Sequence, residues 1–141
     1  MIKNIKYKNK NFGFIITYKK KKGVNFLTPN NLSHQIGFIK HSKNHIIQPH
    51  WHHKNSRIIN YTSEVLIILK GKIRVDFYTK KERYLFSKIV SKNDIVVLID
   101  GGHGFKILEP TEIIEVKQGP YSKKNDKKIF KPVDDSKVKF K

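Results

Sequence analysis

About ten short runs of β-branched and aromatic residues, each closed off by a polar turn, set what this chain can fold into. They are Phe12–Tyr18, Val24–Leu27, Gln35–His41, His45–His52, Glu64–Leu69, Lys72–Thr79, Tyr84–Val90, Asp94–Ile99, Gly104–Leu108 and Thr111–Lys117. No stretch as long as an ordinary helix shows the 3.6-residue apolar period. Gly71 between two apolar runs is a tight hairpin signal, and Lys92-Asn93-Asp94 is another turn, because Asn tolerates the left-handed conformation. The spacing predicts an all-β domain of about ten to twelve antiparallel strands, closed as a sandwich or barrel.

The chain has 141 residues, enough for one modest core and not for two. The expected organisation is a body over residues 1–121 and a charged arm over 122–141. The arm holds Pro132 and few apolar residues, so it either lies on the body or is partly disordered. Cysteine is absent, which excludes disulfides, thiolate metal sites and a cysteine nucleophile. Any metal must be held by His, Asp or Glu. The N-terminus is too polar for a secretory signal, and no apolar run approaches the roughly 20 residues of a spanning helix. The expectation is a cytoplasmic protein with no membrane partner.

The formal charge of +19 resembles a nucleic-acid signature. Yet Arg57, Arg74 and Arg83 are the only arginines among 30 basic residues. The rest are lysines scattered through every segment, without the planar forks that read base edges. Weak, sequence-blind attraction to nucleic acid is expected, and no specific recognition. A basic surround also attracts small anionic molecules.

Six of the seven histidines fall between residues 34 and 53. In Pro49-His50-Trp51-His52-His53, a strand would project His50 and His52 to one face and Trp51 and His53 to the other. Two imidazoles on one face form half of a metal site. Glu64 heads an otherwise apolar run, where a buried carboxylate needs a cation or metal partner. His103 follows Gly101-Gly102, whose backbone turns tightly beside a site.

These residues together resemble the cupin superfamily. Gly37, His50-Trp51-His52, Glu64 and Gly71 match its first motif, and Asn93-Asp94, Gly101 and His103 match its second. The resemblance covers residues 35–118. The stretch Lys54–Ser63 is an insert relative to the motif, and a Pro and a terminal Asn of the second motif are absent. Glu64–Tyr78, Gly101–Phe105 and Ile114–Tyr121 further resemble small bacterial cupins associated with polysaccharide or nucleotide-sugar gene clusters. The resemblance implies a jelly-roll antiparallel β-barrel that holds one divalent transition metal through His50, His52, Glu64 and His103. His53 replaces His52 if the strand carries a bulge.

Three imidazoles and a carboxylate suit Fe, Mn, Ni, Co or Zn. Such a site fits a metal-dependent isomerase, epimerase, lyase or dioxygenase acting on a small polar, sugar-derived or anionic metabolite. A non-catalytic sugar- or metabolite-binding module is the alternative. Candidate proton-transfer groups are His53, Tyr61, Glu115 and Tyr121, and Arg57 and Lys117 are candidate anion contacts. The runs Val65–Leu69 and Asp94–Ile99 are apolar on both faces, which predicts a homodimer covering the second face.

Overall fold

Gly71 turns tightly with φ +80°, a left-handed conformation natural to glycine, and a Cβ there would run into the Pro110 carbonyl, but the runs on either side of it pair with other strands, so the turn passes between two sheets and does not close the expected hairpin. The computed structural model describes residues 1–17, 21–120, 122 and 126–141. Among these the strands are β1 (Ile2–Tyr7), β2 (Lys10–Thr17), β3 (Gly23–Phe26), β4 (Gly37–Lys40), β5 (Glu64–Lys70), β6 (Lys72–Tyr78), β7 (Tyr84–Ser91), β8 (Asp94–Leu98), β9 (Gly102–Ile107) and β10 (Glu112–Lys117). The only helical turn among the described residues is a 3-10 turn at Asp135–Lys137. Among the described residues no helix is long and apolar enough to cross a membrane.

Two compact units divide the chain. The main unit comprises Met1–Tyr18 and Tyr61–Lys141, and the second comprises Lys19–Asn60. In the main unit the strands form an antiparallel five-stranded sheet, ordered β1-β2-β8-β5-β10, and a three-stranded sheet, ordered β7-β6-β9. The second unit holds the two-stranded sheet β3-β4. Hydrogen bonds thus gather the main unit's strands into two sheets with a shared core, a β-sandwich arrangement.

Period-two alternation makes that core. Leu66 and Ile68 of β5, Val96 and Leu98 of β8 and Ile15 of β2 point inward from one sheet. Ile73, Val75 and Phe77 of β6 meet them from the other, with Phe86 and Val90 of β7. Val65, Val97, Phe14 and Ile16 lie on the opposite face of the five-stranded sheet and are also buried within the single chain. No partner subunit is needed to bury those four. Exposed apolar side chains remain on edge strand β10, at Ile114 and Val116.

Strand β6 is buried on both faces. Its outward residues include Arg74 and Asp76, 7% and 3% exposed. Arg74 donates from Nε to Asp76 Oδ1 at 2.7 Å and from Nη2 to Oδ2 at 3.0 Å. Ser87 of β7 donates to Asp76 at 2.5 Å. The C-terminal arm covers this outer face. Asp135 accepts from Arg74 at 2.8 Å and pairs with Lys106. The Val133 N–H donates to the Tyr78 hydroxyl at 3.0 Å, and the Ser87 N–H donates to the Lys139 carbonyl at 2.8 Å. The arm is therefore part of the main unit, and of the two expected arrangements residues 129–141 adopt the one lying on the body.

Two local expectations change. His45–His52 forms no strand, because its backbone joins no ladder with another strand among the described residues; Ile46 and Trp51 stand 72% and 75% exposed. Conversely β1 is a strand that alternation with Lys3 and Lys6 conceals. It is an edge strand burying little beyond Ile5, and edge lysines discourage further pairing.

The Arg74–Asp76 pair makes a quantitative test. Arg74→Leu strands a buried carboxylate and should cost about 3–5 kcal/mol by urea unfolding. Arg74→Leu combined with Asp76→Leu should recover most of that loss, because no unpaired charge remains. Equal losses in the two variants would mean the pair is not what holds the face together.

Candidate functional site

Asp100-Gly101-Gly102 turns the chain from β8 into β9. Gly101 has φ +78°, and a Cβ on it would strike the Phe12 ring. The turn therefore packs onto β2 and starts β9 in a register that sets His103 opposite Phe77, on the inner face. Glu64, the first residue of β5, points to the same interior as Leu66 and Ile68. The two side chains meet: His103 Nε2 lies 2.9 Å from Glu64 Oε2, with the side chains 28% and 21% exposed. One carboxylate–imidazole contact thus bridges the two sheets.

The pair lies in an open pocket of about 720 Å³, lined wholly by the main unit. Glu115 and Lys117 line it from β10, where they stand opposite Leu66 and Glu64 of β5. Lys117 Nζ is 3.4 Å from Glu115. The hydrogen bond from His103 holds the Glu64 carboxyl below the usual carboxylate range. Burial works against it, and the positive charges of His103, Lys117 and Lys127 reinforce it.

A second charged group forms the adjoining wall. Burial pushes the Asp100 carboxyl upward, but ion pairs with Lys80 and Lys10, each at 2.9 Å, and the Gly101 N–H at 2.7 Å outweigh it and hold it at about 2. Lys80 also sits 3.8 Å above the centre of the Tyr61 ring, a cation–π contact that fixes this candidate at the pocket rim.

Of the residues expected at a site, Glu64, His103, Tyr61, Glu115 and Lys117 therefore share one pocket. His50, His52, His53 and Arg57 belong to the second unit, in an exposed stretch without regular structure. Within it the alternation survives without a sheet. The His50 and His52 rings lie 5.3 Å apart, edge to face, and Trp51 lies 4.4 Å from His53. His50 Nδ1 is 2.9 Å from the Gln48 carbonyl. Donation from Nδ1 leaves the Nε2 lone pair to bind a metal or accept a proton. Tyr121 lies outside the described residues. Among the described residues no three His, Asp or Glu side chains are grouped to hold a metal ion.

The sequence did not reveal the Asp100–Lys80–Lys10 cluster or the arm residues Lys127 and Phe130 that also line the pocket. An acid directly before Gly101-Gly102 was the available signal for Asp100.

Asp100 gives the site a pH signature. Its folded pKa lies below the ordinary 3.8, so its contribution is fully present above that value and is lost as pH falls towards 2. Asp100→Asn should reduce the stability difference between neutral pH and pH 2 by about 2 kcal/mol, read from denaturant midpoints. An unchanged pH profile would show that the two lysines do not hold the carboxylate. No protein family, no curated protein and no solved structure matches this chain.

Proposed function

We propose that the chain is a jelly-roll cupin that binds one divalent transition metal and acts on a small polar, sugar-derived metabolite. The contact between Glu64 and His103, at 2.9 Å inside an open pocket, carries this proposal. Strand order supports the fold. From β5 onward the chain passes between sheets so that β8-β5-β10 stand side by side in one and β7-β6-β9 in the other, an order suited to Greek-key crossings.

The chemistry of the donors fits a metal. Glu64 supplies one carboxylate and His103 one imidazole, and the cupin resemblance adds His50 and His52. A borderline divalent ion accepts such a set and supplies Lewis acidity when bound. The lining suits a sugar-like body. Tyr61, Tyr78, Phe105 and Phe130 offer aromatic surface, and Glu115 and Lys117 offer an acceptor and a donor. Glu115 lines the same pocket and could exchange a proton with a substrate held there.

The direct hydrogen bond between His103 and Glu64 favours a second reading, without metal. There Glu64 orients the imidazole, and His103 takes a substrate proton as a general base.

Metal titration separates the two. Calorimetry with Mn(II), Co(II), Ni(II) and Zn(II), and anaerobically with Fe(II), should find a single tight site in the wild type. Glu64→Gln and His103→Ala should weaken it well over tenfold, as loss of a ligand does. Matching losses in His50→Ala and His52→Ala, with His53→Ala unaffected, would support the four-donor set. Losses confined to Glu64 and His103 would limit the donors to the main unit. A wild type that takes up no metal would overturn the metal reading and leave the His103 base.

A further inference from the structure

The second unit turns an apolar face outward. Strands β3 and β4 pair so that Val24 stands opposite Ile39 and Phe26 opposite Gly37. Period-two alternation sets these four positions on one face of the ribbon. Val24, Phe26 and Ile39 are 53%, 65% and 55% exposed. A Cβ on Gly37 would come within 3.4 Å of the Phe26 ring, so the ring lies beside Gly37 and no other side chain interrupts the strip. The opposite face, with Asn25 and Phe38, is the more sheltered one. Three apolar side chains therefore face solvent although the ribbon has a sheltered face that could hide them. A contiguous exposed strip of this kind, rimmed by polar residues, marks a docking surface.

The ribbon is held in shape by its own bonds. The Leu27 N–H donates to the Ile36 carbonyl at 2.7 Å, and the buried Thr28 hydroxyl accepts from the Ile36 N–H at 3.0 Å. Gln35 Nε2 donates to the Pro29 carbonyl at 2.7 Å and fixes the connecting loop. The charge is gathered at the other end. Gly23 pairs with Lys40, so the chain entering β3 and the chain leaving β4 lie side by side. Lys21 and Lys22 enter there, Lys40 and Lys43 leave, and all four are exposed. Lys19–Asn60 holds seven lysines, Arg57 and no Asp or Glu, so no carboxylate side chain of the same unit offsets this charge.

We propose that the β3-β4 ribbon docks on the surface of a membrane containing acidic lipid, with Val24, Phe26 and Ile39 entering the boundary between headgroups and acyl chains and the four lysines meeting lipid phosphates. Exposed apolar side chains beside clustered lysines are the two components of interfacial binding, and each lysine close to such a surface tightens it about fivefold. Nucleic acid offers the same phosphates, but its bases call for stacking rings and arginine forks. Two of the three strip residues are aliphatic, and the unit's one arginine, Arg57, lies outside the ribbon. A second copy would bring the same lysines, and no acid on its own ribbon to meet them. The proposal is independent of the metal reading, because no residue named for the metal or the sugar lies on β3 or β4.

The test is co-sedimentation of the full-length protein with vesicles of phosphatidylcholine alone and of phosphatidylcholine with about one-third phosphatidylglycerol. Wild type should partition onto the acidic vesicles at least about tenfold more strongly than onto the neutral ones. Phe26→Ser combined with Ile39→Ser should weaken that binding about tenfold, and Lys21→Gln combined with Lys22→Gln about twentyfold. Lys81→Gln combined with Lys92→Gln, the same loss of charge on two turns of the main unit, should stay within about twofold of wild type. Phe26→Trp combined with Trp51→Phe places the only tryptophan on the strip, and its emission should shift to the blue on acidic vesicles and not on neutral ones. Equal binding to both vesicles, full binding in the Phe26→Ser, Ile39→Ser variant, an equal loss in the Lys81, Lys92 pair, or unshifted emission would overturn the proposal. A short DNA duplex bound more tightly than acidic vesicles, with the same dependence on Phe26, would overturn it in favour of nucleic acid. A dimer in light scattering that Phe26→Ser with Ile39→Ser dissolves would overturn it in favour of a second copy.

Discussion

Arg74 and Asp76 can share a buried face only because something covers them, and what covers them is the C-terminal arm. Two charges removed from water cost several kcal/mol each unless they are paired and hydrogen-bonded. Here the pair is bidentate, Ser87 saturates the carboxylate, and Asp135 of the arm takes a further guanidinium N–H. The inner face of β6 builds the core and its outer face fixes the arm. One strand therefore links sandwich packing to the wall of the pocket.

The pocket follows from where the apolar alternation stops. Along β5 the inward positions run Ile68, Leu66, Glu64, and along β6 the inward Phe77 stands opposite His103 of β9. The first two positions on β5 are hydrophobic and the third is charged, so the sheets part at that end and water enters. The carboxylate would be costly there alone. The imidazole offsets the cost, and the lysines nearby hold the carboxyl ionised. A group stabilised in its charged form, partly open to solvent and facing a proton-bearing ring, is a common arrangement at functional sites.

How much of this was legible depends on the range over which each feature is encoded. Strands β5 to β8 were readable because alternation is local and their turns carry Gly71 and Asn93. Glu64 and His103 were readable because each breaks a local pattern, a charge at the head of an apolar run and a His after paired glycines. The contacts that hold the site were not readable. Asp100 is held by Lys10 and Lys80, and Arg74 by Asp135, partners far apart in the chain with no periodic relation. The arm was left open between lying on the body and partial disorder because its charged residues, which read as solvated, are the ones that bind it to the sheet. The stretch His45–His52 misled in the opposite way. Its β-branched residues match a strand locally, but a strand exists only where a neighbour supplies the ladder.

The distribution of acids gives the charge of +19 a different meaning from a uniformly basic surface. No Asp or Glu precedes Glu64, so the second unit has no carboxylate side chain to offset its lysines. Of the 11 acids in the chain, six line the pocket of the main unit: Glu64, Asp76, Glu82, Asp100, Glu115 and Asp126. In a chain this basic, self-repulsion favours spreading carboxylates wherever lysines crowd. Concentrating more than half of them at one concavity forgoes that relief elsewhere. Most of these acids are then matched by specific bases, which leaves the pocket polar but close to neutral. A polar, nearly neutral concavity does not attract a polyanion such as a nucleic-acid backbone, whose affinity grows with the number of phosphates neutralised.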